Sequence, residues 1–368
     1  MDKRIKFIRI QLILRCAFLS VFCLCLDGFL VRSFGSTLDE TEPTELTEPT
    51  EIVLEEGISQ KVLTEGGSYI LSGRAEGERI VVDAPGQELF LLLNGIDLTA
   101  DHTAAVYVKD ASSVTLELAE GSENRIRSKG KFEDPEDDGI DAAVFARDTL
   151  IIKGDGALTV KSGKGHGIVS KDVLKILGGA LSISSGKDGI QARDRAEISG
   201  GTVLIDAGDE GIKSDGEILI SGGVFLIRAE EDGVRADEKV LFDGGEFSIE
   251  AYEGIETTIL SIEDGRIMIR AESDGMNAGH KGKDRSLEPS VQIDGGDILI
   301  RMPETGADAD AIDSNGDLII RGGTIAIETG RKGRQAFDYL GRGIFEGGTI
   351  RVNGEEIYEL SPDRARED

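Results

Sequence analysis

The chain has 368 residues, with 49 glycines, 7 prolines, and 70 acidic against 41 basic side chains. The net charge of −29 excludes a nucleic-acid-binding protein, because affinity for phosphate comes from Lys and Arg. It favours cations as partners, with a solvated acidic surface as the alternative interpretation.

Residues 1–36 have the pattern of an export signal. Four basic residues within the first nine positions precede a mostly apolar run, residues 10–31. Arg15 and Asp27 interrupt this run, so we predict a cleaved signal peptide, with an uncleaved membrane anchor as the alternative. All three cysteines lie in this segment, so no disulfide supports the rest of the chain. We therefore expect an extracellular or cell-surface protein.

Residues 37–56 predict an acidic linker rich in Thr, Pro and Glu. The sequence Thr-Glu-Pro-Thr-Glu occurs at 41–45 and again at 47–51. Such a composition cannot bury a core, and it forms an extended, self-repelling chain that holds a folded domain away from a surface. We expect the folded domain to span 57–356 and a frayed tail to follow at 357–368.

A 22-residue repeat fills the centre of this domain. Double glycines begin at positions 178, 200, 222 and 244, and each is followed by alternating apolar residues. Alternation with a period of two predicts β-strands, and a repeat of this length predicts a solenoid. We therefore predict an all-β fold, a single-stranded parallel β-helix with about 22 residues per coil.

The repeat also predicts which side chains form the core. Equivalent residues of successive coils stack about 4.8 Å apart and bury a continuous interior. Two aliphatic columns are expected there, Ile176, Ile198, Ile220, Phe242 and Ile262, and Ile183, Ile205, Ile227, Ile249 and Ile269. A third column supplies small residues at a corner: Ser185, Ala207, Ala229, Ala251 and Ala271.

Each repeat carries an acid followed by glycine and an aliphatic residue, as in Asp188-Gly189-Ile190. Stacking would place these acids one strand spacing apart, where like charges repel by a few kcal/mol at an effective dielectric constant of about 20. The acids of this column and of its neighbours are our candidate metal ligands: Asp188, Asp209, Glu210, Asp232, Asp237, Glu253, Glu256, Asp274, Asn277, Asp308, Asp310 and Asp313.

Three kinds of compensation are open to such a column. Lys187, Lys213 and Arg235 lie in or beside it and can form ion pairs, or the acids can face solvent. Calcium is the third, because it takes about six to eight carboxylate, carbonyl or water oxygens in flexible geometry. We expect Ca2+, and the best group of ligands spans three consecutive coils: Asp232, Asp237, Glu253, Glu256, Asp274 and Asn277.

Other chemistry finds little support in the sequence. The three histidines are scattered, and no HExxH, G-x-S-x-G or phosphate-binding glycine motif occurs in a suitable context. Sugar-binding faces usually stack rings on aromatic side chains, yet the chain has no Trp. Acidic sugars bridged through calcium therefore suit this surface better than a flat cellulose-type face.

Six segments of the chain each match part of the sequence pattern of a known family: Leu91–Leu98, Ala104–Val108, Leu118–Asn124, Tyr252–Glu256, Ser273–Ala278 and Ala311–Leu318. They resemble the clostridial-type secreted carbohydrate-binding proteins, and the resemblance covers residues 57–352. It implies a right-handed β-helix of three sheets, similar in fold to pectate lyases, with bound calcium. It also implies binding of plant-wall polysaccharide, notably polygalacturonate and also cellulose, without established catalysis. Arg235 stands where the family pattern has histidine, and His166 stands where it has an acid.

We expect a monomeric, non-catalytic polysaccharide-binding protein that depends on calcium and contacts its ligand through Lys213, Arg235 and Tyr252. The alternative is a calcium-dependent pectate-lyase-like enzyme, in which Lys213 or Arg235 would take the C5 proton of a uronate. A second alternative is a structural adhesin or spacer whose acids only solvate the surface.

Overall fold

The computed structural model describes the following residues: 48–57, 60–133, 139–302, 309–329 and 336–361. All of them belong to one compact unit, Thr47–Asp368. The predicted export signal, 1–36, and the candidate ligand Asp308 lie outside the described residues. In the described ranges, no helix is long and apolar enough to cross a membrane.

All secondary-structure elements in these ranges are β-strands. Short runs of β-branched and other aliphatic residues alternate with polar ones and end at turn-forming residues, so the strands are short and numerous. In chain order they are β1 (Thr50–Leu54), β2 (Gln60–Leu63), β3 (Gly67–Glu76), β4 (Arg79–Asp83), β5 (Glu88–Asp101), β6 (Val106–Asp110), β7 (Ser113–Leu118), β8 (Glu123–Lys129), β9 (Ala142–Ala146), β10 (Thr149–Gly154), β11 (Ala157–Ser162), β12 (His166–Ser170), β13 (Val173–Ile176), β14 (Ala180–Ser185), β15 (Ile190–Ala192), β16 (Arg195–Ile198), β17 (Thr202–Ala207), β18 (Ile212–Ser214), β19 (Glu217–Ile220), β20 (Val224–Ala229), β21 (Asp232–Ala236), β22 (Lys239–Ala251), β23 (Glu253–Thr257), β24 (Ile259–Ala271), β25 (Met276–Ala278), β26 (Ser290–Ile293), β27 (Asp297–Arg301), β28 (Ile312–Ser314), β29 (Asp317–Ile320), β30 (Thr324–Glu328), β31 (Phe337–Tyr339), β32 (Gly343–Phe345), β33 (Thr349–Val352) and β34 (Glu355–Ile357).

Twelve of these strands stack into one parallel sheet, with one strand from each coil. Its order is β2-β4-β6-β9-β12-β15-β18-β21-β23-β25-β28-β31. The solenoid has about 12 turns of roughly 23 residues, which confirms the predicted parallel β-helix. In its centre the predicted spacing holds, because Ile190 pairs with Ile212, and Ile212 with Val234.

The other 22 strands form a second sheet, to which most coils contribute two strands, such as β13 and β14. In four coils, one long strand replaces these two strands and continues through the corner between them: β3, β5, β22 or β24. Two of the three predicted sheets are therefore joined into one. Gly244 and Gly245 in β22 have φ angles of 139° and 89°, and Gly265 in β24 has 123°. Glycine adopts these angles without steric cost, so the backbone turns while the hydrogen-bond ladder continues.

The interior contains the predicted aliphatic columns. Ile198 pairs with Ile220, Ile220 pairs with Phe242, and all three side chains are buried. Phe225 and Phe247 from successive coils stack with their ring centroids 4.3 Å apart. The core is thus continuous along the stack, and no coil has to bury its apolar face alone.

Both ends of the folded domain differ from the prediction. Thr50–Leu54, which we assigned to the linker, is strand β1 and pairs with β3, because Ile52 and Leu54 are buried in the first coil. At the other end, β34 pairs antiparallel with β33, and the hydroxyl of Tyr339 donates to the carbonyl of Leu360 at 3.0 Å. Leu360 packs on the core, so the predicted tail is ordered up to this point. An antiparallel strand closes the last coil and covers its apolar end.

The glycine of the acid-Gly-aliphatic step is required by the distance between coils. A Cβ on Gly211 would clash with Ile227 Cγ2 and lie 2.5 Å from the carbonyl oxygen of Gly233 in the next coil. Because the added methyl group overpacks this position, we expect Gly211→Ala to lower the free energy of unfolding by about 1–3 kcal/mol. A urea titration measures this change. Gly163→Ala is the matched control, since a Cβ there meets nothing within 4 Å. Equal stability of the two variants would contradict this account.

Candidate functional site

One face of the twelve-stranded sheet carries a column of acids. The register follows from the pairing of the aliphatic residues of the repeat, in the order Ile190, Ile212, Val234, Ile255, Met276 and Ile312. The residue two positions before each of these stacks on its equivalent in the next coil. We call this set the acid column: Asp188, Glu210, Asp232, Glu253, Asp274 and Asp310. The structure therefore brings these six predicted ligands together.

A second set of side chains, the flanking column, comes one position after these six residues and after Phe337 of the next coil: Gln191, Lys213, Arg235, Glu256, Asn277, Asp313 and Asp338. Cationic residues occupy its middle, and oxygen-bearing residues occupy its C-terminal part. Asp338 was not among the predicted ligands, because the coil that carries it departs from the 22-residue period. The charge of the flanking column thus changes sign between Arg235 and Glu256.

His166 lies at the N-terminal end of the acid column, between two carboxylates. Its Nε2 is 3.2 Å from Asp141 and its Nδ1 is 3.2 Å from Asp188. Burial opposes the charge of His166, but hydrogen bonds with Asp141 and Asp188 outweigh this effect and raise its pKa. Asp141 was missed by the sequence analysis, because it belongs to an irregular coil next to a polar insertion.

The Asp188 group holds three carboxylates. Oxygens of Asp188, Asp209 and Glu210 lie within 4.8 Å of one another. Nζ of Lys213 is 2.7 Å from Glu210. Burial and the neighbouring Asp188 raise the pKa of Glu210 to about 7. Burial acts in the same direction on Asp188, but hydrogen bonds with His166 and Glu210 outweigh it and lower its pKa to about 2.

The Asp232 group holds three further carboxylates around a guanidinium. Oxygens of Asp232, Glu253 and Glu256 lie within 4.8 Å of one another. Nη1 of Arg235 lies 2.7 Å from Glu256 and 3.3 Å from Asp232. Nζ of Lys281 lies 2.5 Å from the other oxygen of Glu256. Lys281 comes from the insertion that interrupts the repeat, so the period could not place it here.

The carboxylates of the Asp232 group have unlike affinities for protons. Burial, together with the charges of Glu256 and Glu253, raises the pKa of Asp232 to about 8. Burial, together with Glu256 and Asp274, raises the pKa of Glu253 to about 7. Burial also acts on Glu256, but Lys281 and Arg235 outweigh it and lower the pKa of Glu256. Glu256 therefore loses its proton most readily of the three carboxyls.

In the C-terminal part of the face, Asn277 stands at the flanking position that Arg235 occupies in the centre. Nδ2 of Asn277 lies 3.3 Å from Glu253 and 3.3 Å from Asp274, while Oδ1 of Asn277 is buried without a hydrogen-bond partner in the described chain. Asp274 also accepts a hydrogen bond of 2.7 Å from the backbone N–H of Asp310. Burial and the charge of Asp274 raise the pKa of Asp313 to about 6. An orphaned amide oxygen on a residue that also contacts two carboxylates is a candidate ligand for a hard cation such as Ca2+.

Two predicted residues lie outside these groups. Asp237 lines a separate cleft of about 710 Å³, together with Asp215, Arg193 and Lys283. Its carboxylate is not one of those that lie within 4.8 Å of one another in the Asp232 group, although the charges of Glu256 and Arg235 act on it. Tyr252 lies immediately before Glu253 and is 53% exposed, so its ring is open to solvent beside the acid column.

Comparison with known proteins places most of the described chain in one family. A family model described as "Carbohydrate-binding domain-containing protein" matches residues 59–333 and, in a second match, 253–363. The chain belongs to this family. The matched residues include both columns described above.

Two proteins illustrate these similarities. A carbohydrate-binding domain-containing protein of Acetivibrio thermocellus is 36% identical over 126 residues. The alignment spans 33% of this chain and 44% of that relative, which is less than half of the relative's length. A solved structure, the polysaccharide lyase-like protein from C. thermocellum in a gadolinium derivative, aligns with 24% identity and a TM-score of 0.39, covering 82% of this chain and 99% of that one.

The raised pKa values of Asp232, Glu210 and Glu253 predict how stability depends on pH in the presence of a chelator. Between about pH 4 and pH 8 the folded state keeps protons that the unfolded state releases, so the free energy of unfolding should fall as the pH rises. Each carboxyl that keeps its proton contributes a slope of up to about 1.4 kcal/mol per pH unit. Urea titrations at pH 5 and pH 8 measure the difference.

Asp232→Asn should reduce this fall, because the amide does not titrate. Asp243→Asn is the control, since Asp243 is exposed on the other sheet and should leave the slope unchanged. A free energy of unfolding that rises from pH 5 to pH 8 in the wild type would show that these carboxyls are charged in the folded state.

Proposed function

We propose that this protein binds polysaccharide without cleaving it, and that calcium at the C-terminal part of the acid column holds acidic sugars. Membership of the carbohydrate-binding domain family supports the general activity. The observation that supports the calcium is the orphaned Oδ1 of Asn277, whose Nδ2 donates to the carboxylates of Glu253 and Asp274. Export through residues 1–36 would bring the protein to polysaccharide outside the cell.

The residues that would hold calcium are Glu253, Asp274, Asn277 and Asp313. They offer carboxylate and amide oxygens from strands β23, β25 and β28 and from the turn before β25, and water can complete the shell of about six to eight oxygens. The bound ion supplies positive charge that a sugar carboxylate can ligate. This favours polygalacturonate, whose uronic acids carry one carboxylate each, over neutral cellulose.

The remaining sugar contacts are assigned to Lys213, Arg235 and Tyr252. The side chains of Lys213 and Arg235 are 26% and 29% exposed, so part of each cationic group remains open to a ligand carboxylate. Tyr252 presents an exposed ring for stacking against a sugar. Three such groups beside one calcium suit a short stretch of an acidic polysaccharide rather than an extended flat surface.

Lys213 and Arg235 are poorly suited to serve as the base of a lyase. Burial lowers the pKa of Lys213, but the hydrogen bond with Glu210 and the charges of Asp188 and Glu210 outweigh it and raise the pKa above its usual value. The pKa of Arg235 is raised in the same way by Glu256 and Asp232. Both side chains keep their protons at neutral pH, whereas a general base must begin without one.

Retention on immobilised polygalacturonate tests the proposal. Wild-type protein should be retained in calcium and released by chelator. Asn277→Ala removes one oxygen ligand, and Asp274→Asn removes the negative charge of another. Each should weaken calcium-dependent retention by at least about tenfold, ~1.4 kcal/mol.

Asp243→Asn again provides the control, because it removes an exposed acid on the other sheet without touching the acid column. Retention that is equally strong in calcium and in chelator would sink the calcium part of the proposal. Loss of retention in the control as well would show that overall charge, not the site, is being measured.

A lyase assay separates the binding protein from the enzyme. Wild-type protein with calcium and polygalacturonate should release no unsaturated product that absorbs in the ultraviolet at neutral pH. Product that appears with wild type and disappears in Lys213→Ala would establish the enzyme instead.

A further inference from the structure

The acid column is compensated differently along its length. In the central coils, three cations, Lys213, Arg235 and Lys281, contact the acids. In the C-terminal coils, the flanking column supplies Asn277 and Asp313 at the positions that Lys213 and Arg235 occupy in the centre. The same register therefore presents cations in one part of the face and oxygen ligands in the other.

Arg235 reaches acids from three successive coils with one nitrogen atom. Its Nη1 lies 2.7 Å from Glu256, 3.3 Å from Asp232 and 4.0 Å from Glu210. Asp232 and Glu256 are 6% and 9% exposed, so water can screen their charges only weakly. A positive centre surrounded by buried carboxylates from consecutive strands is the position that a metal ion would take.

We infer that Arg235 takes the place of a divalent cation in the central coils, and that the Asp232 group becomes a calcium site only when Arg235 is removed. Arg235 and a metal ion are alternatives, because the guanidinium nitrogen already contacts the carboxylate oxygens that would coordinate the ion. The oxygens of Asp232, Glu253 and Glu256 are close enough together to serve as ligands once the guanidinium is gone.

Charge balance supports this assignment. Three cations, Lys213, Arg235 and Lys281, already contact the acids of the central coils, so the charged carboxylates there are compensated without a metal. Removing Arg235 leaves Glu256 with Lys281 alone and takes the neighbouring cation away from Asp232. The central coils should thus stay folded in chelator, while any calcium of the wild-type protein is confined to the C-terminal coils.

The test counts calcium ions in wild-type protein and in Arg235→Ala by equilibrium dialysis. Arg235→Ala should bind one more equivalent of calcium per chain than wild type, and a second substitution, Asp232→Asn, should remove that equivalent. Calcium should also raise the Tm of Arg235→Ala by more than it raises that of wild type, because the new site exists only in the folded state.

Arg228→Ala is the matched control. Arg228 forms an ion pair of 3.0 Å with Glu250 of the next coil, but both side chains are about half exposed, at 45% and 56%. This variant loses the same charge and should bind no additional calcium. Arg235→Lys keeps a positive charge at the site and should also bind none.

Two outcomes would overturn the inference. Arg235→Ala could bind the same number of calcium ions as wild type, or Asp232→Asn in the wild-type background could remove one equivalent, which would place a metal beside Arg235 already. If Arg235→Ala does not fold even in calcium, a double variant, Arg235→Gln with Glu256→Gln, is tested in chelator. Folding of the double variant would then reject the metal-replacement role. A wild-type protein that binds no calcium would refute the calcium part of the proposed function, yet a gain of one equivalent in Arg235→Ala would still support this inference.

Discussion

Each coil of this protein places its side chains directly over the equivalent side chains of the neighbouring coil. Ile190, Ile212 and Val234 show this register in three consecutive strands of the twelve-stranded sheet. For apolar residues the consequence is a continuous core, which stabilises coils that could not fold alone. For charged residues the same register is destabilising, because like charges on neighbouring strands repel. The backbone geometry that stabilises the core therefore creates the electrostatic problem of the acid column.

The protein solves this problem in different ways along one face. His166 contacts Asp188 at the N-terminal end, while in the centre Lys213 compensates Glu210 and Arg235 compensates Asp232 and Glu256. Where these cations stop, Asn277 contributes an amide oxygen that is buried and unpartnered within the described chain. Basic side chains and a bound metal ion are thus two ways to offset the repulsion between stacked acids. The proposed binding site lies in the coils where a metal ion would do so.

This arrangement also explains why a face built from a simple repeat can be locally specific. The acid column is nearly uniform, so the differences between coils come from the flanking column and from insertions such as the one that carries Lys281. Substitutions in the flanking column change the charge of a site without disturbing the core, because those side chains point away from it. A family that shares the fold can vary its ligand contacts in this way while it keeps its β-helix.

The sequence by itself determined the β-helix, its core columns and the stacking of the acids, because a period of 22 residues specifies which side chains meet whenever it holds. It did not place Thr50–Leu54, Asp338 or Leu360, which lie where the period fails at either end of the stack. Nor could it tell that Asp237 turns toward another cleft, or that Lys281 folds back onto Glu256 from an insertion. Which acids meet a cation and which meet an amide oxygen was decided only by the tertiary structure, because side chains from three coils and an insertion come within a few ångströms of each other there.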